Sequence, residues 1–289
     1  MATKPQKPPI GRDTRLCMSL SGRPGNAGSR LHNYLYEALG LDFIYKSFST
    51  RDLPAAVAGI RALDIRGSAI SMPFKEAVIP LLDAMEPSAL AIDSVNTIVN
   101  DDGRLTGYNT DYTACRQLVE ASCADPAQPF ILRGSGGMAK AVVAALRDAG
   151  FTQGTVVARN AVAGPALAER YGFAWAADLP SQGAPLLVNV TPLGMEGPDA
   201  QTLAFPAAMI AASDIAFDVV AQPAQTPFIQ AALDAGKPVI SGAEVIVLQA
   251  VEQFALYTGI RPPTDMVIAA ARFAHGDATA ARLAAMKQR

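Results

Sequence analysis

Apolar and polar residues along the chain fall into two alternating rhythms. TRLCMSL at 14–20, LDFIYKSF at 41–48 and GSAISM at 67–72 read as strands. Between them, RLHNYLYEALGL and Leu53–Ile60 carry apolar residues near helical spacing, with Leu31, Tyr34, Leu35 and Leu39 on one stripe of the first. The loop SGRPGNAGS separates the first strand from the first helix. After Pro73 the segment EAVIPLLDAM is expected to be helical. Strand and helix in turn are the rhythm of an α/β domain.

The rhythm restarts after a connecting helix, YTACRQLVEASC, and a breaker cluster, ADPAQP. FILR at 130–133 and GTVVA at 154–158 read as strands, and LLVN at 186–189 and IAFDVV at 215–220 are short, largely apolar runs. Such runs suit strands of a parallel sheet buried on both faces. From Glu244 the chain turns helical again in EVIVLQAVEQFALYTG. After a Pro-rich break come TDMVIAAARFAHG and an Ala-rich amphipathic end, DATAARLAAMKQR. Residues 1–13 read as a loose tail, and no internal repeat or low-complexity tract is present.

Composition narrows the class. The chain has 289 residues, half of them apolar and 17% charged, which is enough for two domains with sizeable cores. A net charge of −2 with no basic block argues against nucleic acid or an anionic membrane surface as a partner. No apolar run approaches the roughly 18 residues of a membrane span. The polar start is the opposite of a signal peptide. Cys17, Cys115 and Cys123 are odd in number and form no CxxC, so they read as reduced thiols of a cytoplasmic protein. His32 and His275 are too few for a typical zinc cluster, and no metal is expected.

Candidate chemistry concentrates in two stretches. Between Ser71 and Asp111, three polar residues stand beside apolar runs at element ends: Lys75 after Pro73, Asn96 between Val95 and Ile98, and Asp111 after the turn announced by Gly107 and Asn109. A lysine and a carboxylate converging on one pocket make an acid/base couple. Taken singly, a lysine at a helix start is usually solvated, and an aspartate after a turn is usually a cap. The second stretch is Gly134-Ser135-Gly136-Gly137-Met138-Ala139, which fits G-x-G-x-x-[G/A] between a strand and an Ala/Val-rich helix. There the first glycine permits the turn, the second lets a pyrophosphate approach, and the small third residue lets helix pack on strand. Helix N–H groups and the positive dipole end then face the phosphates. The next strand ends at Arg159, and no Asp or Glu occurs between Phe151 and Pro165. A guanidinium there favours the 2′-phosphate of NADP, where NAD binders place an acid.

In order along the chain stand His32-Asn33, Pro73-Phe74-Lys75, Val95-Asn96-Thr97, Asn109-Thr110-Asp111, the glycine turn, an N-x-T-x-x-G-M run at Asn189–Met195, and Gln249. With these motifs the chain resembles the shikimate dehydrogenases over roughly residues 14 to 270. The resemblance implies an N-terminal α/β substrate domain plus a Rossmann-type NADP-binding domain, with C-terminal helices returning to the first domain. The boundaries expected are 1–111 with 244–289 for the first and 112–243 for the second. It implies Lys75 and Asp111 as catalytic pair, and Asn26, Ser71, Asn96 and Gln249 (with Asp111) as substrate-binding residues. Ser71 stands where the family usually has Thr. The cofactor residues implied are Gly134, Ser135, Gly136, Gly137, Met138, Ala139, Arg159, Asn189, Thr191 and Gly242, with substrate and nicotinamide in a cleft between the domains.

Departures from the family pattern cluster at the substrate carboxylate. Counting back from His32, the two serines of the family's S-x-S segment fall on Asn26 and Gly28, with Ser29 one place off. The family's tyrosine near Asp218 is Ala221, and its N-R-T reads Ala158-Arg159-Asn160 without a second basic residue shortly after. Losing two or three hydrogen bonds to a charged group weakens binding by roughly a hundredfold or more. The expectation is therefore a paralogue that transfers a hydride between NADP(H) and shikimate/3-dehydroshikimate or a related hydroxylated ring acid. The alternatives are a quinate-type dehydrogenase using NAD, or a catalytically weak NADP- or metabolite-binding protein of the same fold. A monomer or homodimer is expected.

Overall fold

The computed structural model describes residues 6–286. The first five residues of the expected tail and the last three of the Ala-rich end lie outside the described residues; 6–14 contain no helix or strand. The chain forms two compact units. One takes residues up to Thr110 together with those from Val247 onward, and the other is the uninterrupted segment Asp111–Ile246.

The first unit holds β1 (Arg15–Leu20), β2 (Phe43–Phe48), β3 (Gly67–Ile70), β4 (Ala84–Met85), β5 (Thr97–Asp101) and β6 (Arg104–Tyr108), in the order β2-β1-β3-β5-β6-β4. β1 pairs in parallel with β2 and β3, while β5 runs antiparallel to both β3 and β6. One face buries Met18, Leu20, Ile60, Ile70, Val95 and Ile98. The helix Ala27–Leu39 buries Leu31, His32, Leu35 and Tyr36, two i,i+4 pairs. Its inward stripe is thus turned from the one expected, with His32 and Tyr36 inside in place of Tyr34 and Leu39. Asn33 fastens this helix to β2: its amide donates to the Tyr45 carbonyl at 2.8 Å, and its oxygen accepts from the Tyr45 N–H at 2.9 Å. A side chain thereby does the work of a missing strand at the sheet edge.

The expected helix over EAVIPLLDAM does not form. In its place are turns, a 3-10 turn at Ile79–Leu81, and β4, which pairs in parallel with β6. Pro80 has no N–H to continue an α-helical ladder, and the Asp83 N–H is instead taken by the Leu105 carbonyl.

The returning helix Gly242–Thr258 reaches this sheet through its last turn. Arg66 donates from Nε to the Tyr257 carbonyl at 2.9 Å and from Nη2 to Leu256 at 3.2 Å, and also reaches Asn100 and Asp101. A cation at orphaned C-terminal carbonyls satisfies them and complements the helix dipole. The Tyr257 ring fills the space over Gly67, where an added Cβ would lie 2.2 Å from ring carbons.

The second unit is one all-parallel sheet: β7 (Phe130–Arg133), β8 (Gly154–Val157), β9 (Ala174–Ala176), β10 (Leu186–Asn189), β11 (Ile215–Asp218) and β12 (Val239–Ser241), ordered β12-β11-β10-β7-β8-β9. Counted within the unit this is the doubly wound order 3-2-1-4-5-6, whose connections reverse between β7 and β10. Ile131, Leu187, Phe205, Ile210, Phe228 and Val239 pack one face. No helix among the described residues is long and apolar enough to cross a membrane.

Candidate functional site

In the first unit a chain of hydrogen bonds runs through the polar residues at the β5 start. Asn96, 3% exposed, donates from Nδ2 to the Thr110 hydroxyl at 3.0 Å. Its oxygen accepts from the Thr110 N–H at 2.8 Å and from the Thr97 hydroxyl at 2.8 Å. The Thr110 hydroxyl reaches the Gln249 carbonyl oxygen at 3.3 Å, and Gln253 Nε2 donates to the Thr97 hydroxyl at 3.0 Å. The Thr110 hydroxyl proton has two acceptors in reach, Asn96 Oδ1 at 3.2 Å and the Gln249 side-chain oxygen at 3.3 Å, which faces Thr110. Asn96 and Gln249, both singled out in the sequence, are therefore brought together. Thr110, which joins them, was read only as part of the Asn109–Asp111 motif, and Gln253, which bonds Thr97 and the Asn96 carbonyl, was not singled out. Gln253 lies four residues after Gln249, hence on the same helical face, and that pairing was the available signal.

Lys75 is half-buried, and its carbonyl accepts from the Val95 N–H at 2.9 Å, which places its backbone beside the Asn96 segment. Asp111 follows Thr110 in the first turn of the helix Thr110–Ala121 and is 9% exposed. A carboxylate there is favoured by the N–H groups and dipole of the turn. Ser71 is exposed, its N–H bonded to the Leu20 carbonyl.

At the expected carboxylate clamp, Asn26 is exposed at the N-terminus of its helix and makes no side-chain cap. Ser47 donates to the Gly25 carbonyl at 2.9 Å, so the 2.8 Å contact between Ser29 and Ser47 needs the Ser29 proton. Both hydroxyl protons thus have acceptors within the protein. His32 is fully buried and stacks on Tyr45, ring centroids 4.4 Å apart. Burial pushes its pKa down to about 3, so it is a neutral packing residue.

In the second unit the glycine turn joins β7 to the helix Gly137–Asp148. Gly134 has φ +124°, and a Cβ there would lie 2.8 Å from Val190 Cγ2. Gly136 and Gly137 differ: an added Cβ at either meets no protein atom within 4 Å. The open cradle at the helix N-terminus has room for a phosphate against the backbone. Behind it Ala139, at 0% exposure, lets the helix close onto the sheet. Beside the turn lies a cavity of about 820 Å³ lined by Arg133, Ser135, Arg159, Asn160, Asp178 and Thr191, among others. Met138 is half-buried on the first helical turn.

Strand ends beside this cavity are fixed by a buried network. Asn189 donates to Asp218 at 2.9 Å and accepts from the Thr191 hydroxyl at 2.6 Å, while the Thr226 hydroxyl donates to Asp218 at 2.6 Å. Burial raises the Asp218 carboxyl to about 6, against the lowering pull of Thr226, the Val220 N–H and Asn189. Asn189 thus acts through the loop it shapes, and Thr191 is the member that lines the cavity. Gly242 is buried with the Val219–Val220 backbone 2.4 Å from where a Cβ would stand, so packing alone requires glycine there. Among the described residues no group of three or more His, Cys, Asp or Glu could hold a metal ion.

A doubly wound sheet with an open glycine cradle defines a dinucleotide-binding type of α/β protein. Comparison with known proteins narrows this. Residues 27–98 match the family model of the shikimate dehydrogenase substrate binding domain. A shikimate dehydrogenase-like protein of Haemophilus influenzae is 56% identical over 92% of this chain and 98% of its own length. The crystal structure of a shikimate 5-dehydrogenase from Thermus thermophilus in complex with NADP(H) and shikimate is 32% identical. It superposes with a TM-score of 0.79 over 90% of this chain and 99% of that one. A quinate dehydrogenase from Corynebacterium glutamicum in complex with NAD is 26% identical, with a TM-score of 0.80 over 88% and 97%. The chain belongs to the shikimate dehydrogenase family, a family of oxidoreductases.

Proposed function

We propose that this protein is an NADP-dependent dehydrogenase that moves a hydride between NADP(H) and the secondary alcohol or ketone of a shikimate-like hydroxylated ring acid. The observation that carries the reading is the open cradle of Gly136 and Gly137 at the start of a 12-residue helix, with Arg159 lining the adjoining cavity. Gly134–Ala139 receive the pyrophosphate, Arg159 receives the ribose phosphate, and Thr191 borders the nucleotide. NADP(H), when bound, supplies the hydride acceptor or donor.

The substrate-side residues are Lys75, Asn96, Asp111 and Gln249. Asn96, Gln249 and Asp111 hold ring hydroxyls, and the Thr110-centred hydrogen bonds pre-set the two amides, which lowers the ordering cost of binding. Lys75 orients the reacting hydroxyl in oxidation and donates to the carbonyl oxygen in reduction. Asp111 accepts from the substrate. Support comes from the 32% identity to a shikimate 5-dehydrogenase that binds NADP(H) and shikimate. The hydrogen bonds of Ser29 and Ser47 within the protein leave the ring carboxylate, in a shikimate- or quinate-type acid alike, to be gripped by other groups.

A panel of shikimate, quinate and other ring hydroxy acids with NADP and NAD, followed at the nicotinamide absorbance, tests the reading. Lys75→Ala and Asp111→Asn are expected to lower turnover about 100-fold or more while leaving calorimetric NADP binding in place. Turnover within about tenfold of wild type in Lys75→Ala would remove the lysine from its role. Tight NADP binding with no hydride transfer to any acid would point to a binding protein of the same fold.

A further inference from the structure

The cavity beside the glycine turn contains two guanidinium groups from adjacent strands. Arg133 is the last residue of β7, in register with Val157 at the end of β8, and Arg159 lies two residues beyond Val157. Paired residues of neighbouring strands share a face, and Arg159 stands in the bend just past the end of β8. Arg133, Val157 and Arg159 all line the same cavity. Among the described residues neither arginine has a carboxylate within ion-pair distance. Arg133 is tethered instead by Nη1 to the Ala204 carbonyl. Burial, and after it the charge of Arg159, pushes the Arg133 guanidinium below its ordinary range. Two like charges converge on one concave surface, an arrangement that an anion relieves. Asp178 lines the cavity from beyond β9, so it is one strand further from Arg133 than from Arg159.

We infer that Arg133 and Arg159 together form the subsite for the 2′-phosphate of the dinucleotide, with Arg133 a residue that sets NADP over NAD. This rests on the NADP reading proposed above. In a doubly wound sheet the ribose phosphate lies past the second strand of the unit, here β8. A guanidinium rising from the neighbouring strand end grips that phosphate from a second side. Its tether to Ala204 holds one arm still, so less side-chain freedom is lost on binding.

Calorimetry on the full chain tests this without any turnover readout, using NADP, NAD, adenosine 2′,5′-bisphosphate and AMP. Arg133→Met is expected to weaken NADP and the bisphosphate by about 10- to 100-fold, the worth of a charge-assisted hydrogen bond. NAD and AMP are expected to stay within about threefold, and Arg133→Lys to fall between wild type and Met. A thermal melt checks that Arg133→Met is folded. Equal weakening of NADP and NAD would show that Arg133 only supports the loop at Ala204, and unchanged NADP affinity would show no role; either result overturns the inference while the NADP reading stands. Wild-type protein that does not prefer NADP over NAD would overturn both.

Discussion

Asn96 and Gln249 meet at one hydroxyl: Asn96 donates to Thr110 Oγ1 over 3.0 Å, and Gln249 accepts from it over 3.3 Å. Thr110 is 2% exposed, so water does not take over when the hydroxyl is removed. Thr110→Val leaves an Asn96 donor buried without its partner, which costs about 1–3 kcal/mol. Urea unfolding is expected to show that loss, and Thr110→Ser to recover most of it. Substrate KM should rise in the valine variant, while calorimetric NADP affinity should not move.

The two leading glycines of the nucleotide turn are glycine for different reasons, and alanine separates them. At Gly134 the positive φ and the Val190 methyl both oppose a side chain, so Gly134→Ala is expected to lose about 1–3 kcal/mol of stability. At Gly136 nothing in the protein stands in the way. Gly136→Ala should lose only about 0.5–1 kcal/mol, the difference between these residues at a helix N-cap, yet weaken NADP about tenfold or more by filling the cradle. Melting curves and calorimetry on both variants decide. Parallel losses in the two would sink the distinction.

Position 28 has room for the hydroxyl that the family's substrate clamp would place there. A Cβ on Gly28 comes no closer than 3.7 Å to the Tyr45 hydroxyl, ordinary contact. Asn26→Ser combined with Gly28→Ser is expected to tighten shikimate by about tenfold or more, since each new bond to a carboxylate is worth roughly 1.5–3 kcal/mol. Unchanged affinity in the double variant would mean that the carboxylate is held elsewhere.

His32 and Asp218 give folding stability opposite pH slopes. The folded pKa of His32 is depressed to about 3 by burial, so the unfolded chain binds the extra proton. Its contribution is full above the unfolded value of about 6.5 and is lost as pH falls toward 3, on the order of 2 kcal/mol by pH 5. Asp218 is raised to about 6 by burial; its contribution is full below the unfolded carboxylate range and is lost as pH rises through 6. His32→Phe, stacked on Tyr45 in the same way, is therefore expected to reduce the fall in stability between pH 7 and pH 5. Denaturant titrations at the two pH values measure it.

Much of the second unit was legible because its inner strands are buried on both faces and read as short apolar runs that end in one polar residue. FILR, LLVN and IAFD emerge as β7, β10 and β11. β9 has no such run: Ala-Trp-Ala is a short, largely exposed edge strand that gains its structure from pairing with β8. EAVIPLLDAM misled because its apolar spacing suits a helix, whereas Pro80 and the pairing of β4 with β6 favour turns and an edge strand. Lys75, Asn96, Asp111 and Gln249 stood out as polar residues among apolar ones. Thr110 and Gln253 did not, because a threonine at a helix start and an amide on a helix are unremarkable until their partners across the fold are known. Arg133 was hidden for a similar reason, since its nearness to Arg159 depends on strand register.

The split composition of the first unit has a consequence for how the chain is made. During translation, Asp111–Ile246 emerges as one uninterrupted stretch and can complete its own sheet while later codons are still being read. Asn96, Thr97 and Arg66 leave the ribosome early, but Gln253, Leu256 and Tyr257 follow only after that stretch. The nascent first unit thus lacks these partners, and the Phe254 and Tyr257 rings that pack against His32, until the whole of Asp111–Ile246 has been made, and it is in that interval that it most needs a chaperone's cover.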